Sequence, residues 1–236
     1  GSEMCIRDSL QGDDPINAKV SAAYDCGQHH SMTGKPCQDR AAGFVRGALA
    51  GVVLCDGAGS CAHSERAAQR LMEWIPDYLQ ITFDTLCALP PEECYCTLLF
   101  YAAHADGRWL CGHIGDGYIF RIRQDTAVVF SAPENGHAIN ETYFLSEPGA
   151  AQHLRIRSGE LHEPYAVLLT SDGGGDTLFD RQQQQPAPAV ERLCDWLTEN
   201  DEKTVTEALA HVIKEKMIPA TEDDVSVAIL YCSEDE

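Results

Sequence analysis

The sequence predicts an α+β fold with mostly antiparallel strand pairing. Many strand-like segments come before the late helices, and one long helical segment comes early, so the strict strand–helix alternation of a parallel sheet is missing. The 236 residues are 44% hydrophobic and 23% charged, an ordinary globular balance with enough chain for a full core. We therefore expect the strands to form antiparallel sheets that the helices cover.

Strands are expected where short apolar or alternating runs stand between turn residues. The first such run is Val-Ser-Ala-Ala-Tyr, and short turns such as Ala-Asp-Gly-Arg at 105–108 separate several of the middle runs. The expected strands cover residues 19–25, 41–45, 49–55, 95–103, 108–114, 118–123, 127–130, 153–157, 165–170 and 225–232.

Helices are expected where apolar residues recur every three or four positions. A four-residue repeat that begins at Ala67 predicts the longest helix, and Thr204 followed by Glu207 has the spacing of a capping box. Residues 181–189 are rich in Gln and Pro, which predicts a mobile surface loop. The expected helices cover residues 63–79, 83–89, 190–197 and 205–216.

The domain organisation is expected to be simple. The opening Gly-Ser resembles a cloning scar and residues 1–17 show no clear period, so we leave this segment out of the fold. The rest of the chain has no internal repeat and no evident linker. We therefore expect a single domain over residues 18–236.

Charge and hydropathy exclude some functions. A formal net charge of −20 repels the phosphate backbone, so we expect no nucleic-acid partner. No apolar run approaches the roughly 20 residues of a spanning helix, and no signal-peptide pattern opens the chain, so we expect no membrane role. The 11 cysteines include no Cys-x-x-Cys pair and mostly sit in apolar runs, which favours a reducing cytoplasmic location.

The most informative feature is where aspartates fall relative to strands. Carboxylates that converge at strand ends would repel one another unless cations lay among them, and Mg²⁺ and Mn²⁺ prefer such oxygen ligands. A single Asp-Gly after a strand is usually only a turn, whereas three such sites and an Asp-Asp strand start are harder to explain that way. The three Asp-Gly sites are Asp56, Asp116 and Asp172, and the Asp-Asp strand start is Asp223 and Asp224. Asp39, just before an apolar stretch, belongs to the same set.

Five motifs in order resemble the metal-dependent type 2C protein phosphatase family in its short bacterial form. Together they span about residues 20–232, and the resemblance implies two stacked antiparallel sheets flanked by helices, with metals at one edge. The motifs are Gly-Lys-Pro-Cys-Gln-Asp at 34–39, Cys-Asp-Gly-Ala-Gly-Ser at 55–60, Ile-Gly-Asp-Gly at 114–117, Thr-Ser-Asp-Gly-Gly-Gly-Asp at 170–176 and Glu-Asp-Asp-Val-Ser-Val at 222–227.

The resemblance implies a binuclear site for two divalent cations, Mn²⁺ or Mg²⁺. Asp56 would bridge both ions, and the Gly57 carbonyl would bind one of them. Asp172 and Asp223 would complete the site, while Asp39 would bind a metal or hold its waters. Two cations of this kind lower the pKa of a shared water and neutralise charge on the phosphoryl oxygens.

A third, weaker metal occurs in some bacterial relatives, and the matching positions here are Asp116 and Asp176 together with Asp172. The chain also departs from the family pattern. Gln38 stands where many relatives have Glu, and Ala58 where some have a general-acid His.

Phosphate binding is expected from a different set of groups. Gly34 stands where some relatives have a phosphate-binding Arg, which leaves Lys35 and His30 as candidates. If the segment were a strand, the adjacent His29 and His30 would point to opposite faces, so both would not bind one ion. We expect His29 at the surface.

The predicted function is hydrolysis of phosphoserine and phosphothreonine on proteins by a monomer that opposes a Ser/Thr kinase. Two alternatives stay open. The missing Glu, Arg and His would suit a catalytically weak relative that binds phosphoproteins or regulates, although such a module has no reason to keep clustered carboxylates. The second alternative, a phosphatase of a small phosphorylated molecule, is not excluded by the sequence.

Overall fold

A computed structural model describes residues 15–47, 49–61, 63–78, 95–134, 142–145, 147 and 149–233. The expected helix over 83–89 and most of the expected irregular segment 1–17 lie outside the described residues. The described residues form the strands β1 Ala18–Asp25, β2 Arg40–Arg46, β3 Leu49–Cys55, β4 Leu98–His104, β5 Arg108–Ile114, β6 Tyr118–Arg123, β7 Thr126–Ser131, β8 Arg155–Glu160, β9 Tyr165–Thr170, β10 Phe179–Asp180, β11 Gln185–Pro186 and β12 Val225–Cys232. The α-helices are α1 Gln28–Thr33, α2 Ser64–Tyr78, α3 Asp172–Leu178, α4 Ala189–Glu199 and α5 Glu202–Val212.

Two five-stranded sheets form the centre of the fold, and every strand pair in them is antiparallel. The first has the order β1-β12-β9-β6-β7 and the second the order β2-β3-β4-β5-β8. The chain therefore has the predicted fold class, two antiparallel sheets with helices outside them.

Three apolar layers hold the sheets and helices together. The middle layer joins the facing sides of the two sheets and contains Val52, Tyr101 and Leu169. Helices α4 and α5 cover the outer face of the first sheet, and α2 covers the outer face of the second. The central strands of the two sheets are buried on both faces and are therefore nearly continuous apolar runs, as in the fully buried β9.

Helix α5 begins earlier than predicted. The expected capping box at Thr204 and Glu207 is wrong: Asp201 is the N-cap, and its carboxylate accepts the Thr204 amide at 3.0 Å. The hydroxyl of Thr204 donates to the same carboxylate at 2.7 Å, so Thr204 lies inside the first turn. A stronger cap three residues upstream therefore sets the helix start.

The Gln- and Pro-rich segment over 181–189 is also more ordered than predicted. Strands β10 and β11 pair as a short hairpin, and α4 begins at Ala189. The Asp180 carboxylate accepts the amides of Gln182 and Gln183 at 2.8 and 2.9 Å, which closes the turn. Composition indicated a loop, whereas an Asx turn at Asp180, the residue just before this segment, closes a hairpin.

Two short helices lie where no helix was expected. Helix α1 carries both tandem histidines, so the strand argument for them is wrong, although His29 is exposed as expected. Helix α3 contains Gly-Gly-Gly, a poor helix former. Its glycines are needed for close packing, because a Cβ on Gly173 would lie 2.3 Å from the Asp224 carbonyl oxygen.

Candidate metal centre

Two aspartates face each other at one end of the second sheet. Asp39 directly precedes β2 and Asp56 directly follows β3, and these strands pair with Arg40 opposite Cys55. Because antiparallel neighbours bring the start of one strand beside the end of the other, the two carboxylates meet. The backbone of Asp56 is fixed by Thr97, whose hydroxyl accepts its amide at 3.0 Å and whose amide donates to its carbonyl at 2.7 Å.

The first sheet supplies its carboxylates at the same end. Asp172 follows β9 and opens α3, while Asp223 lies just before β12, which pairs with β9. Asp116 lies in the connection from β5 to β6, where the chain passes from the second sheet to the first. We call Asp39, Asp56, Asp116, Asp172 and Asp223 the aspartate cluster.

Charge repulsion within the aspartate cluster is strong. Carboxylate oxygens of Asp56, Asp116 and Asp172 all lie within 4.8 Å of one another. Burial and then the neighbouring charge of Asp116 raise the pKa of Asp172 to about 8. Burial followed by the charge of Asp39 raises the pKa of Asp56 well above its ordinary value. Asp223 is exposed as a residue, but partial desolvation of its carboxyl group still raises its pKa. Like charges this close call for counter-ions or protons.

Asp39 gives the clearest sign that the aspartate cluster suits cations. Its side chain is fully buried, and neither carboxylate oxygen has a hydrogen-bond partner among the described residues. Burial, with the charge of Asp224 second, raises its pKa to about 7. Buried carboxylate oxygens without donors are rare in folded proteins, and an all-oxygen donor set fits Mg²⁺ or Mn²⁺.

The loop after β3 is packed tightly against Gln38 and α2. A Cβ on Gly57 would lie 2.9 Å from the Ser64 Cβ, so only glycine fits there. The Gln38 amide nitrogen donates to Ser64 Oγ at 2.6 Å and to the carbonyls of Cys61 and Ala58 at 3.3 and 3.4 Å. Gln38 therefore holds the loop that carries Asp56 and Gly57.

Asp224 has a role that the sequence did not reveal. It is almost fully buried and accepts the backbone amides of Gly27 and Gln38, the latter at 2.9 Å. His30 Nδ1 lies 2.9 Å from the same carboxylate. Asp224 therefore fastens the segment between β1 and β2 to the start of β12. No sequence signal indicates this, because the Gly27 partner is 197 residues away along the chain.

The two predicted phosphate-binding residues lie on the rim of the aspartate cluster. A Cβ on Gly59 would be 3.8 Å from His30 Nε2, so the ring edge opposite Asp224 faces the loop after Asp56. Lys35 Nζ donates to the Gly59 carbonyl at 3.2 Å. Both side chains thus lie beside the loop that follows Asp56.

Asp176 lies apart from the three close carboxylates. Its oxygens accept Arg181 Nη2 at 2.7 Å and Thr221 Oγ1 at 3.1 Å. It lines an open polar cleft of about 640 Å³ together with Asp172, Asp223 and Arg181. The structure therefore brings Asp116 to the aspartate cluster and holds Asp176 in an ion pair at the cleft wall.

Comparison with known proteins identifies the class. A sequence model of the family "Protein phosphatase 2C" matches residues 26–86 and 82–214, which is most of the chain. The chain belongs to the protein phosphatase 2C family. This is a class of metal-dependent phosphoprotein phosphatases, which are phosphoric monoester hydrolases. A comparison with curated protein sequences finds no match.

Solved structures share the fold at low sequence identity. The S. agalactiae serine/threonine phosphatase is 16% identical, with a TM-score of 0.63 over 92% of this chain and 100% of that chain. The catalytic domain of the serine/threonine protein phosphatase PstP, in complex with two manganese ions, is 17% identical, with a TM-score of 0.62 over 92% and 99%. RsbX in complex with magnesium is 9% identical, with a TM-score of 0.60 over 92% and 96%.

Proposed function

We propose that this chain hydrolyses phosphoserine and phosphothreonine on proteins with two divalent cations held in the aspartate cluster. The observation that carries the proposal is the convergence of strand-end carboxylates from both sheets, with the buried Asp39 oxygens unpartnered. Acidic groups cost free energy in such an arrangement unless cations are bound.

The assignment of ligands rests on the donor atoms present. Asp56 has carboxylate neighbours from both sheets, which suits a bridging ligand, and the Gly57 carbonyl follows it directly. Asp172 and Asp223 would bind from the first sheet and Asp39 from the second. When bound, a pair of divalent cations activates a water and neutralises charge on the phosphoryl oxygens.

A third ion would use Asp116 and Asp172. Thr142 Oγ1 donates to the Asp116 carboxylate and so orients it toward Asp56 and Asp172. Asp176 could bind this ion only after its ion pair with Arg181 is broken. We therefore expect the third site to have a lower metal affinity than the other two.

Substrate binding is assigned to groups on the rim of the aspartate cluster. His30 is held by Asp224, and Lys35 lies against the Gly59 carbonyl, so either can reach a phosphoryl oxygen near the metals. The adjoining cleft is open and polar, which suits a phosphorylated side chain on a protein surface better than an enclosed small molecule.

The biological setting follows from this activity. We propose that a Ser/Thr kinase phosphorylates the proteins that this enzyme dephosphorylates. We also propose that the chain is a monomer. No described helix is both long and apolar enough to cross a membrane. Most cysteines in the described residues are buried as small apolar side chains, which favours a reducing compartment such as the cytoplasm.

The direct test is turnover of p-nitrophenyl phosphate and of phosphoserine and phosphothreonine peptides with Mn²⁺, with and without EDTA. Asp56→Asn should keep the fold and lose more than about nine-tenths of the activity, because the bridging charge is gone. Asp125→Asn, in an exposed turn, is the matched control and should keep full activity. Mn²⁺-independent turnover, or an active Asp56→Asn variant, contradicts the proposal. Turnover confined to small phosphate esters would indicate a small-molecule phosphatase.

A further inference from the structure

A second group of metal-ligating side chains lies behind the aspartate cluster. Ligand atoms of Cys26, Cys37 and Asp224 all lie within 4.8 Å of one another. The sheet register explains the meeting, because β1 and β12 pair with Asp25 opposite Val225 and so place Cys26 beside Asp224. Cys37 comes from the segment that leads into β2. We call this group the thiol site.

We propose that the thiol site binds a thiophilic divalent cation of the Zn²⁺ class. Two cysteine sulfurs and one carboxylate are a donor set that Zn²⁺ prefers, whereas the all-oxygen aspartate cluster prefers Mn²⁺ or Mg²⁺. With Zn–S bonds of about 2.3 Å, two sulfurs around one ion are separated by roughly 3.8 Å. The observed spacing therefore needs shifts of about 1 Å or less.

The contacts of Asp224 and Cys37 leave ligand atoms available to an ion. Asp224 Oδ2 accepts the Gln38 amide and faces His30, whereas Oδ1 accepts the Gly27 amide. Because a carboxylate oxygen has two lone-pair directions, Oδ1 can also bind a cation. Cys37 Sγ makes one weak contact, to the Asp39 carbonyl at 3.7 Å, which it would give up on losing its proton.

Access and charge also favour this site. Both cysteines are partly exposed, so an ion can enter from solvent, while Asp224 is almost fully buried and supplies fixed negative charge. Water would fill the fourth position. A bound ion would tie together the starts of β2 and β12, which lie next to Asp39 and Asp223.

The test uses Co²⁺ as the probe, because only thiolate ligation gives an intense charge-transfer band in the near ultraviolet. We expect this band in the wild type and in Asp56→Asn, whose aspartate cluster is impaired, and in the control Cys111→Ala, whose thiol is buried on β5. The band should disappear in Cys26→Ala/Cys37→Ala. The readout is an absorption band and not turnover. A missing band would therefore overturn the thiol site and leave the phosphatase assignment unaffected.

A second measurement needs no variant. Zn²⁺ should slow modification of Cys26 and Cys37 in the wild type by about tenfold or more, whereas Mg²⁺ should not. Peptide mapping by mass spectrometry would identify the protected thiols. Protection of other cysteines, a cobalt band that survives in the double variant, or a Cys26–Cys37 disulfide formed in place of metal binding would each overturn the proposal.

Discussion

At the scale of single residues, neighbouring aspartates have opposite surroundings. Asp223 is exposed and lines the cleft beside Asp172, with its carboxylate accepting the Asp224 amide at 3.0 Å. Asp224 is buried and accepts backbone amides from the segment before β2. One carboxylate is available to a cation in the cleft, and the other is a structural acceptor.

This difference predicts distinct losses. Asp223→Asn should lower Mn²⁺ affinity and turnover by about tenfold or more, while the melting temperature in EDTA should not fall. Asp224→Asn should instead lower the free energy of unfolding by about 1–3 kcal/mol, because an amide cannot accept every hydrogen bond that the carboxylate accepts. Calorimetric Mn²⁺ titration and denaturant unfolding separate the two effects. Equal loss of Mn²⁺ affinity in both variants would show that the assignment of Asp223, and not Asp224, as the metal ligand is wrong.

The tandem histidines offer an internal control for substrate binding. His30→Ala should raise KM for a phosphopeptide several-fold without changing Mn²⁺ affinity, because Asp224 holds this ring beside the loop after Asp56. Lys35→Ala should act in the same direction. His29→Ala, exposed on the same helix, should leave KM unchanged. Wild-type KM in the His30 and Lys35 double variant would remove both residues from the phosphate site.

At the scale of elements, α3 shows packing overriding propensity. Three consecutive glycines would ordinarily disfavour a helix, yet they let α3 approach β9 and β12 closely. Gly173→Ala should cost about 1–3 kcal/mol, because its Cβ would lie 2.3 Å from a backbone carbonyl oxygen. Gly59→Ala is the control, since its Cβ would meet neighbours only at 3.7 and 3.8 Å. Equal unfolding free energies for the two variants would refute this packing argument.

Most strands of the two large sheets were predictable, although β8 covers Arg155–Glu160 and not the predicted 153–157. The β10–β11 hairpin and several helix features were not predicted. Buried strands such as β3 and β9 are apolar runs with sharp ends, so their limits agree with the sequence prediction. Because these strand ends are well defined in the sequence, the aspartates that follow or precede them could be recognised as candidate metal ligands. Helix α3, the Asp201 cap and the role of Asp224 escaped prediction, because each depends on contacts that a local pattern does not show.

At the scale of the whole molecule, the aspartate cluster should make stability depend on pH. The pKa of Asp39 is raised to about 7 and that of Asp172 to about 8, from an ordinary value of 3.8. A carboxyl with a raised pKa stabilises the fold while protonated, so its contribution is full below pH 3.8 and is lost as pH rises through 7 and 8.

The melting temperature in EDTA should therefore fall by at least about 5 °C between pH 5 and pH 8.5. Millimolar Mn²⁺ should remove most of this fall, because cations bind the ionised carboxylates of the native state. Asp56→Asn should show a smaller fall in EDTA, since it has one like charge fewer. Thermal melts across this pH range supply the measurement, and curves indifferent to pH and to Mn²⁺ would argue against a cation site.

The occupancy of the aspartate cluster can be counted directly. Titration of the metal-free chain with Mn²⁺, followed by electron paramagnetic resonance, reports both the number of bound ions and the magnetic coupling between neighbouring ions. With Asp56 as a shared ligand, the wild type should bind about two coupled Mn²⁺ ions tightly, while Asp56→Asn should lose the coupled signal and Asp125→Asn should keep it. A wild type that binds no coupled pair, or an Asp56→Asn variant with an unchanged coupled signal, would contradict a binuclear centre.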